Sequence, residues 1–146
     1  MILRALALCA FLVSAQFANA QVVQLITEDE AKLPPPAAGL PSRGVTRGPG
    51  IKIASPDTSG KLSNPFALKV AFVAHGGSKI NPDSVKLTYL KSPLVDLTPR
   101  IKDAIVADGL DVPKVSVPTG EHKIRISVKD SDGRQTSEIV TLNVAK

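Results

Sequence analysis

The chain has one cysteine, no tryptophan and few aromatics, 3% of its 146 residues. Cys9 falls in an apolar amino-terminal run, so the rest of the chain has no thiol. That excludes disulfide cross-links, a cysteine nucleophile and thiolate-held metal from everything after it. Four phenylalanines and one tyrosine offer little on which nucleobases can stack. With a formal net charge of only +5, a nucleic-acid partner is not expected. Long hydrophobic runs are missing too: residues 5–13 form the longest, well short of the roughly 20 needed to cross a bilayer. No membrane span is therefore expected.

What is present begins with a three-part amino terminus. Arg4 supplies a positive charge, residues 5–13 are almost wholly apolar, and Ala18-Asn19-Ala20 puts small residues where a signal peptidase reads. This is the form of a cleavable export signal, with cleavage expected after Ala20 and a periplasmic or secreted product. Losing Arg4 takes the net charge from +5 to +4. Residues 21–50 are rich in breakers, including Pro34-Pro35-Pro36, Gly39, Pro41, Gly48 and Gly50, and read as an extended arm or linker. Within it, residues 21–26 form an apolar run able to pair as a strand. Thr27 and Glu30 have the spacing of a capping box, sufficient for one helical turn before the prolines end it.

Residues 51–146 read as one domain of short alternating strands. Leu68, Val70 and Phe72 alternate with Lys69, Ala71 and Val73; Val85, Leu87 and Tyr89 with Lys86 and Thr88; Ile124, Ile126 and Val128 with Lys123, Arg125, Ser127 and Lys129. Val140, Leu142 and Val144 answer the last set across Asp130-Ser131-Asp132-Gly133. Period-two patterning between turn residues predicts an all-β fold, an antiparallel sandwich of about seven strands. One segment departs from it. Thr98 as N-cap, Pro99 at the first helical position and Gly109 at the carboxyl end predict a short helix over about 98–108 in a crossover. Val115 and Val117, between Pro113 and Pro118, predict an edge strand.

The stretch Val117-Pro118-Thr119-Gly120-Glu121-His122, with Ile124, Ile126, Val128, Asp130 and Gly133 after it, resembles the closing hairpin of bacterial immunoglobulin-like domains. Ser55-Pro56 and Pro65-Phe66 resemble the opening of the same fold. The resemblance covers about residues 51–144 and lacks the paired cysteines and buried tryptophan of antibody domains. It implies an immunoglobulin-like β-sandwich. It also implies that His122 stands where related domains place a tyrosine that bonds the corner backbone, and that the third, sixth and seventh strands share a sheet.

Candidate chemistry is sparse. Asp130-Ser131-Asp132-Gly133 has the start of a calcium loop, but the twelfth position is Thr141 rather than an acid, so it reads as a hairpin turn. His75-Gly76-Gly77-Ser78 has no nucleophile elbow beside it and reads as a loop turn. No catalytic set, metal site or cofactor is expected. Alternation places Lys123, Arg125 and Lys129 on one outer face with Ser127; the resemblance, by putting the third, sixth and seventh strands in one sheet, implies that Lys86, Thr88, Thr141 and Asn143 join them in a basic, hydroxyl-rich plate. The expected function is that of a non-catalytic binding, adhesion or structural module whose partner is a protein, an acidic polysaccharide or another envelope component. The plate supplies a specific alternative, polyanion binding. A small hydrolase or enzyme inhibitor is the rival from another class, and it requires a histidine bonded to a carboxylate and a hydroxyl.

Overall fold

The computed structural model describes residues 21–37 and 47–146, so the expected export signal over 1–20 and residues 38–46 of the expected arm lie outside the described residues. In chain order the elements are β1 (Val23–Gln24), α1 (Glu28–Ala31), β2 (Gly50–Ser55), β3 (Phe66–Val73), β4 (Ile80–Tyr89) and β5 (Val95–Asp96). They continue with α2 (Thr98–Ile101), a 3-10 turn (Lys102–Ala104), β6 (Ile105–Val106), β7 (Gly109–Ser116), β8 (Gly120–Asp130) and β9 (Gln135–Val144). One sheet runs β1-β7-β3-β2, with β6 also paired to β7; the other runs β5-β4-β8-β9. The fold is a two-sheet, all-β sandwich.

Alternation sets which side chains meet between the sheets. Leu68, Val70 and Phe72 from β3 face Leu87 and Tyr89 from β4 and Ile124, Ile126 and Val128 from β8, all less than 5% exposed. Successive strand residues point to opposite faces, so each buried residue fixes an outward neighbour. The register Ile124↔Val140 and Lys129↔Gln135 follows from the tight turn after Asp130, where Gly133 takes φ +77°.

The amino-terminal segment is not a free arm. Val23 and Gln24 pair in parallel with Val115 and Ser116, and Leu25 and Ile26 are completely buried. Thr27 and Glu30 form the expected capping box on α1. The Arg100 guanidinium then grips both Glu30 carboxylate oxygens at 2.6 and 2.8 Å and the Leu25 carbonyl at 2.6 Å. Lys91 Nζ donates to the Ala31 and Leu33 carbonyls, each at 2.9 Å. The run 21–26 is apolar on too many positions to stay in water, and burying a Leu or Ile side chain is worth roughly 1.5–3 kcal/mol.

The helix expected over 98–108 is much shorter. It stops at Ile101, and Ile105 and Val106 turn back as β6 to pair with Leu110 and Gly109. Leu97, not Thr98, is its N-cap; the Thr98 hydroxyl is taken up by the Leu87 N–H at 3.0 Å. Gly109 is no helix cap. A Cβ there would stand 2.5 Å from the Val70 carbonyl oxygen, so glycine is required for β7 to approach β3. Pro113 lies inside β7, which is an interior strand rather than an edge. The register between β3 and β7 slips between Phe66 and Leu68, and that irregularity accommodates a residue with no N–H to donate.

Candidate functional site

The outer face of the β5-β4-β8-β9 sheet carries the cations expected there. Lys86 lies across from Ser127, Thr88 from Arg125, and Asn81 from Lys129. On the other side of β8, Lys123, Arg125, Ser127 and Lys129 face Thr141, Ile139, Ser137 and Gln135.

The pairing of β4 with β8 breaks between Asn81 and Lys86. Ser84 fills the gap: its hydroxyl donates to the Asn81 carbonyl at 2.6 Å and accepts the Lys129 N–H at 2.8 Å. Irregular pairing of this kind re-aims side chains and locally opens a sheet surface. Beside it lies a depression of about 220 Å³ lined by Ser84, Lys86, Thr88, Arg125, Ser127, Lys129 and Gln135. Three cations therefore surround one recess, with the Ser127 and Ser137 hydroxyls hydrogen-bonded to each other at 2.8 Å beside it.

Arg125 is the unusual member. Its Nη2 is shielded from solvent yet has no hydrogen-bond partner among the described residues. Leaving a buried donor unsatisfied costs on the order of 1–3 kcal/mol, more for a charged group. Lys86 and Lys129 form no ion pair among the described residues, although Lys86 contributes to holding the Asp96 carboxyl below its usual range, after the larger effect of hydrogen bonds from Thr98. Lys123 shares the face but stands outside the recess, and Glu121 partly neutralises it at 3.5 Å.

Of the two histidines, the ring of His122 serves the framework. His122, 3% exposed, has Nε2 2.8 Å from the Pro118 carbonyl and Nδ1 2.8 Å from the Tyr89 hydroxyl. A carbonyl only accepts, so Nε2 donates and the neutral ring's Nδ1 accepts from Tyr89. Burial pushes the His122 pKa down, against the opposing effect of the Pro118 bond, and raises that of Tyr89. Neither partner of His122 is a carboxylate, so the hydrolase constellation is not formed there.

His75 is exposed. Its carbonyl accepts from the Ser78 N–H and hydroxyl at 3.3 and 2.7 Å, closing a turn in which Gly76 and Gly77 take φ +64° and +79°. That turn packs on the one after β8. There the Asp130 carboxylate, its side chain fully buried, accepts from the Asp132 and Arg134 N–H groups at 3.0 and 2.9 Å and from Arg134 Nε at 2.8 Å. Burial alone would raise the Asp130 pKa; the bonds and charge of Arg134 outweigh it and hold the carboxyl below its usual range.

A larger cleft of about 640 Å³ lies between β4, β5 and α2, bounded by Pro82, Asp83, Val85, Asp96, Thr98, Pro99, Lys102 and Ile105. Sequence reasoning did not find it, because it arises where β5 stops after pairing only with Thr88 and Tyr89. Among the described residues no group of three or more histidine, cysteine or acidic side chains is placed to hold a metal ion. Nor is any described helix long and apolar enough to cross a membrane. No protein-family model, curated protein or solved structure matches the chain.

Proposed function

We propose that the protein is an exported, non-catalytic binding module that holds an acidic polysaccharide of the cell envelope or exterior against the outer face of its β5-β4-β8-β9 sheet. The observation that carries this reading is the recess in which Lys86, Arg125 and Lys129 converge without a carboxylate among its lining residues. Clustered charge of one sign raises the local concentration of the opposite ion, and several weak contacts along a polymer add up. Salt-sensitive association is the expected behaviour.

The sandwich itself we assign to the immunoglobulin-like type. Counting β2 as the first strand and leaving aside the two-residue β6, β4, β8 and β9 are the third, sixth and seventh, and they share a sheet as that connectivity requires. His122, near the start of β8, bonds the backbone four residues upstream, in the position of the corner tyrosine. The fourth strand, β5, joins β4 rather than the opposite sheet, a departure from the constant-domain arrangement.

The test is retention of the purified protein on immobilised polygalacturonate at low salt. Wild type is expected to bind and to elute as salt rises, while the triple variant Lys86→Glu, Arg125→Glu, Lys129→Glu flows through with an unchanged circular dichroism spectrum. Equal retention of the two proteins overturns the reading.

A further inference from the structure

We infer that the recess is a discrete anchoring site for one oxyanion, the carboxylate of a uronic acid unit, seated on the Arg125 guanidinium. This rests on the polysaccharide-binding reading and adds to it a specific contact. A flat basic plate attracts a polymer through its field alone, and any cation serves as well as another. Three features set Arg125 apart from that picture.

First, its Nη2 is both hidden from water and unpaired among the described residues. Lys86 and Lys129 beside it are exposed and gain less from a direct contact, because water already solvates them. Second, the recess is of the size of a single sugar unit with its carboxylate rather than of a length of polymer. Its volume of about 220 Å³ equals roughly seven waters at about 30 Å³ each. Third, the polar groups around it are mostly donors or neutral. Lys86 stands diagonally from Arg125 across Ser127, a position roughly 7 Å away in a sheet, while Lys129 lies four residues further along the same strand, roughly 13 Å at about 3.3 Å per residue. Gln135 and Thr88 complete the lining, and they can donate to the oxygens that the guanidinium leaves free.

A planar carboxylate matches the fork of a guanidinium, which presents two parallel N–H groups; an ammonium in its place presents only a point charge. The exposed side chains of Lys86 and Lys129 have the freedom to close over the bound group. Arg125 is thus the specificity-determining residue, and the lysines set the salt-dependent approach.

The conservative variant Arg125→Lys separates these roles, since it keeps the charge and removes the fork. Titration of the whole protein with a polygalacturonate oligosaccharide at constant ionic strength is expected to give at least fivefold weaker binding for Arg125→Lys than for wild type. In the wild-type protein the Arg125 Nε–H resonance should shift on the same titration, a readout independent of any variant's folding. Dextran sulfate of similar length is the second arm. Tighter binding of the sulfate polymer with the same dependence on Arg125 overturns the carboxylate assignment. Unchanged affinity of Arg125→Lys, or a stationary Nε–H resonance, overturns the anchor even if the triple charge reversal abolishes binding; if that triple variant also binds, both readings fall.

Discussion

Two charged side chains on β8, five residues apart, have opposite surroundings. Asp130 is buried at the strand's end and its carboxylate is filled by the backbone of its own turn and by Arg134. Arg125, at the strand's middle, has a shielded nitrogen with no partner among the described residues. A charge withdrawn from water is tolerated when the fold supplies its hydrogen bonds, and it is costly when the fold does not. The first arrangement holds a turn in place; the second leaves a donor unsatisfied, at a cost in stability.

Substitution sharpens this contrast. Asp130→Ala should be the most damaging change. It leaves Arg134 and two N–H groups without their acceptor and loosens the packed His75 turn, and a fall in Tm of about 10 °C by calorimetry is expected. A negligible shift would show that the turn's carboxylate is ornamental. Next is His122→Phe, which strands the Tyr89 hydroxyl and Pro118 carbonyl in the core. The expected cost is about 2 kcal/mol in urea denaturation at pH 7.

The pH dependence follows from the same bonds. The folded-state pKa of His122 is depressed, so its contribution is present above the ordinary value of 6.5 and is lost as pH falls through the lower folded value. Tyr89, Lys91 and Glu28 surround it electrostatically. Wild type should therefore lose stability below about pH 6, and His122→Phe should lack that first step. Glu30, lowered to about 2 from 4.5 chiefly by hydrogen bonding to Arg100, gives a second step. Its contribution is full above pH 4.5 and disappears toward pH 2. Because the pair is partly exposed, the loss in Glu30→Gln at pH 7 is discounted to on the order of 1–2 kcal/mol. Smallest is Arg125→Met, which removes an unpaired donor and should leave stability unchanged or raise it by up to about 1 kcal/mol; a large loss would mean that the guanidinium has a structural role.

Much of this architecture was legible in the amino-acid order, for a physical reason. In β3, β4, β8 and β9 one face is buried and the other wet, so a two-residue period names the core and the basic face together. Arg125 and Lys129 were placed by that rule, and Lys86 joined them through the shared sheet that the immunoglobulin-like resemblance implies. The recess was not, because it depends on an irregular pairing between Asn81 and Lys86 that no local pattern announces. The signals at Thr98 and Pro99 do mark the start of a short helix, Thr98–Ile101, although the Thr98 hydroxyl bonds Leu87 rather than capping it; the end signal at Gly109 was misleading, because that glycine answers to a tertiary demand, the close approach to Val70. Val23 and Gln24 were readable as a strand, but their partner lies too distant in sequence to infer.

That distant pairing governs how the molecule assembles. Val23 meets Val115 across about ninety intervening residues, and closing so wide a loop costs entropy before any contact repays it. The β8-β9 hairpin, by contrast, can zip from its own turn. The β1-β7 pairing is therefore expected to form later than the β8-β9 hairpin, with the apolar Leu25 and Ile26 unburied until it does.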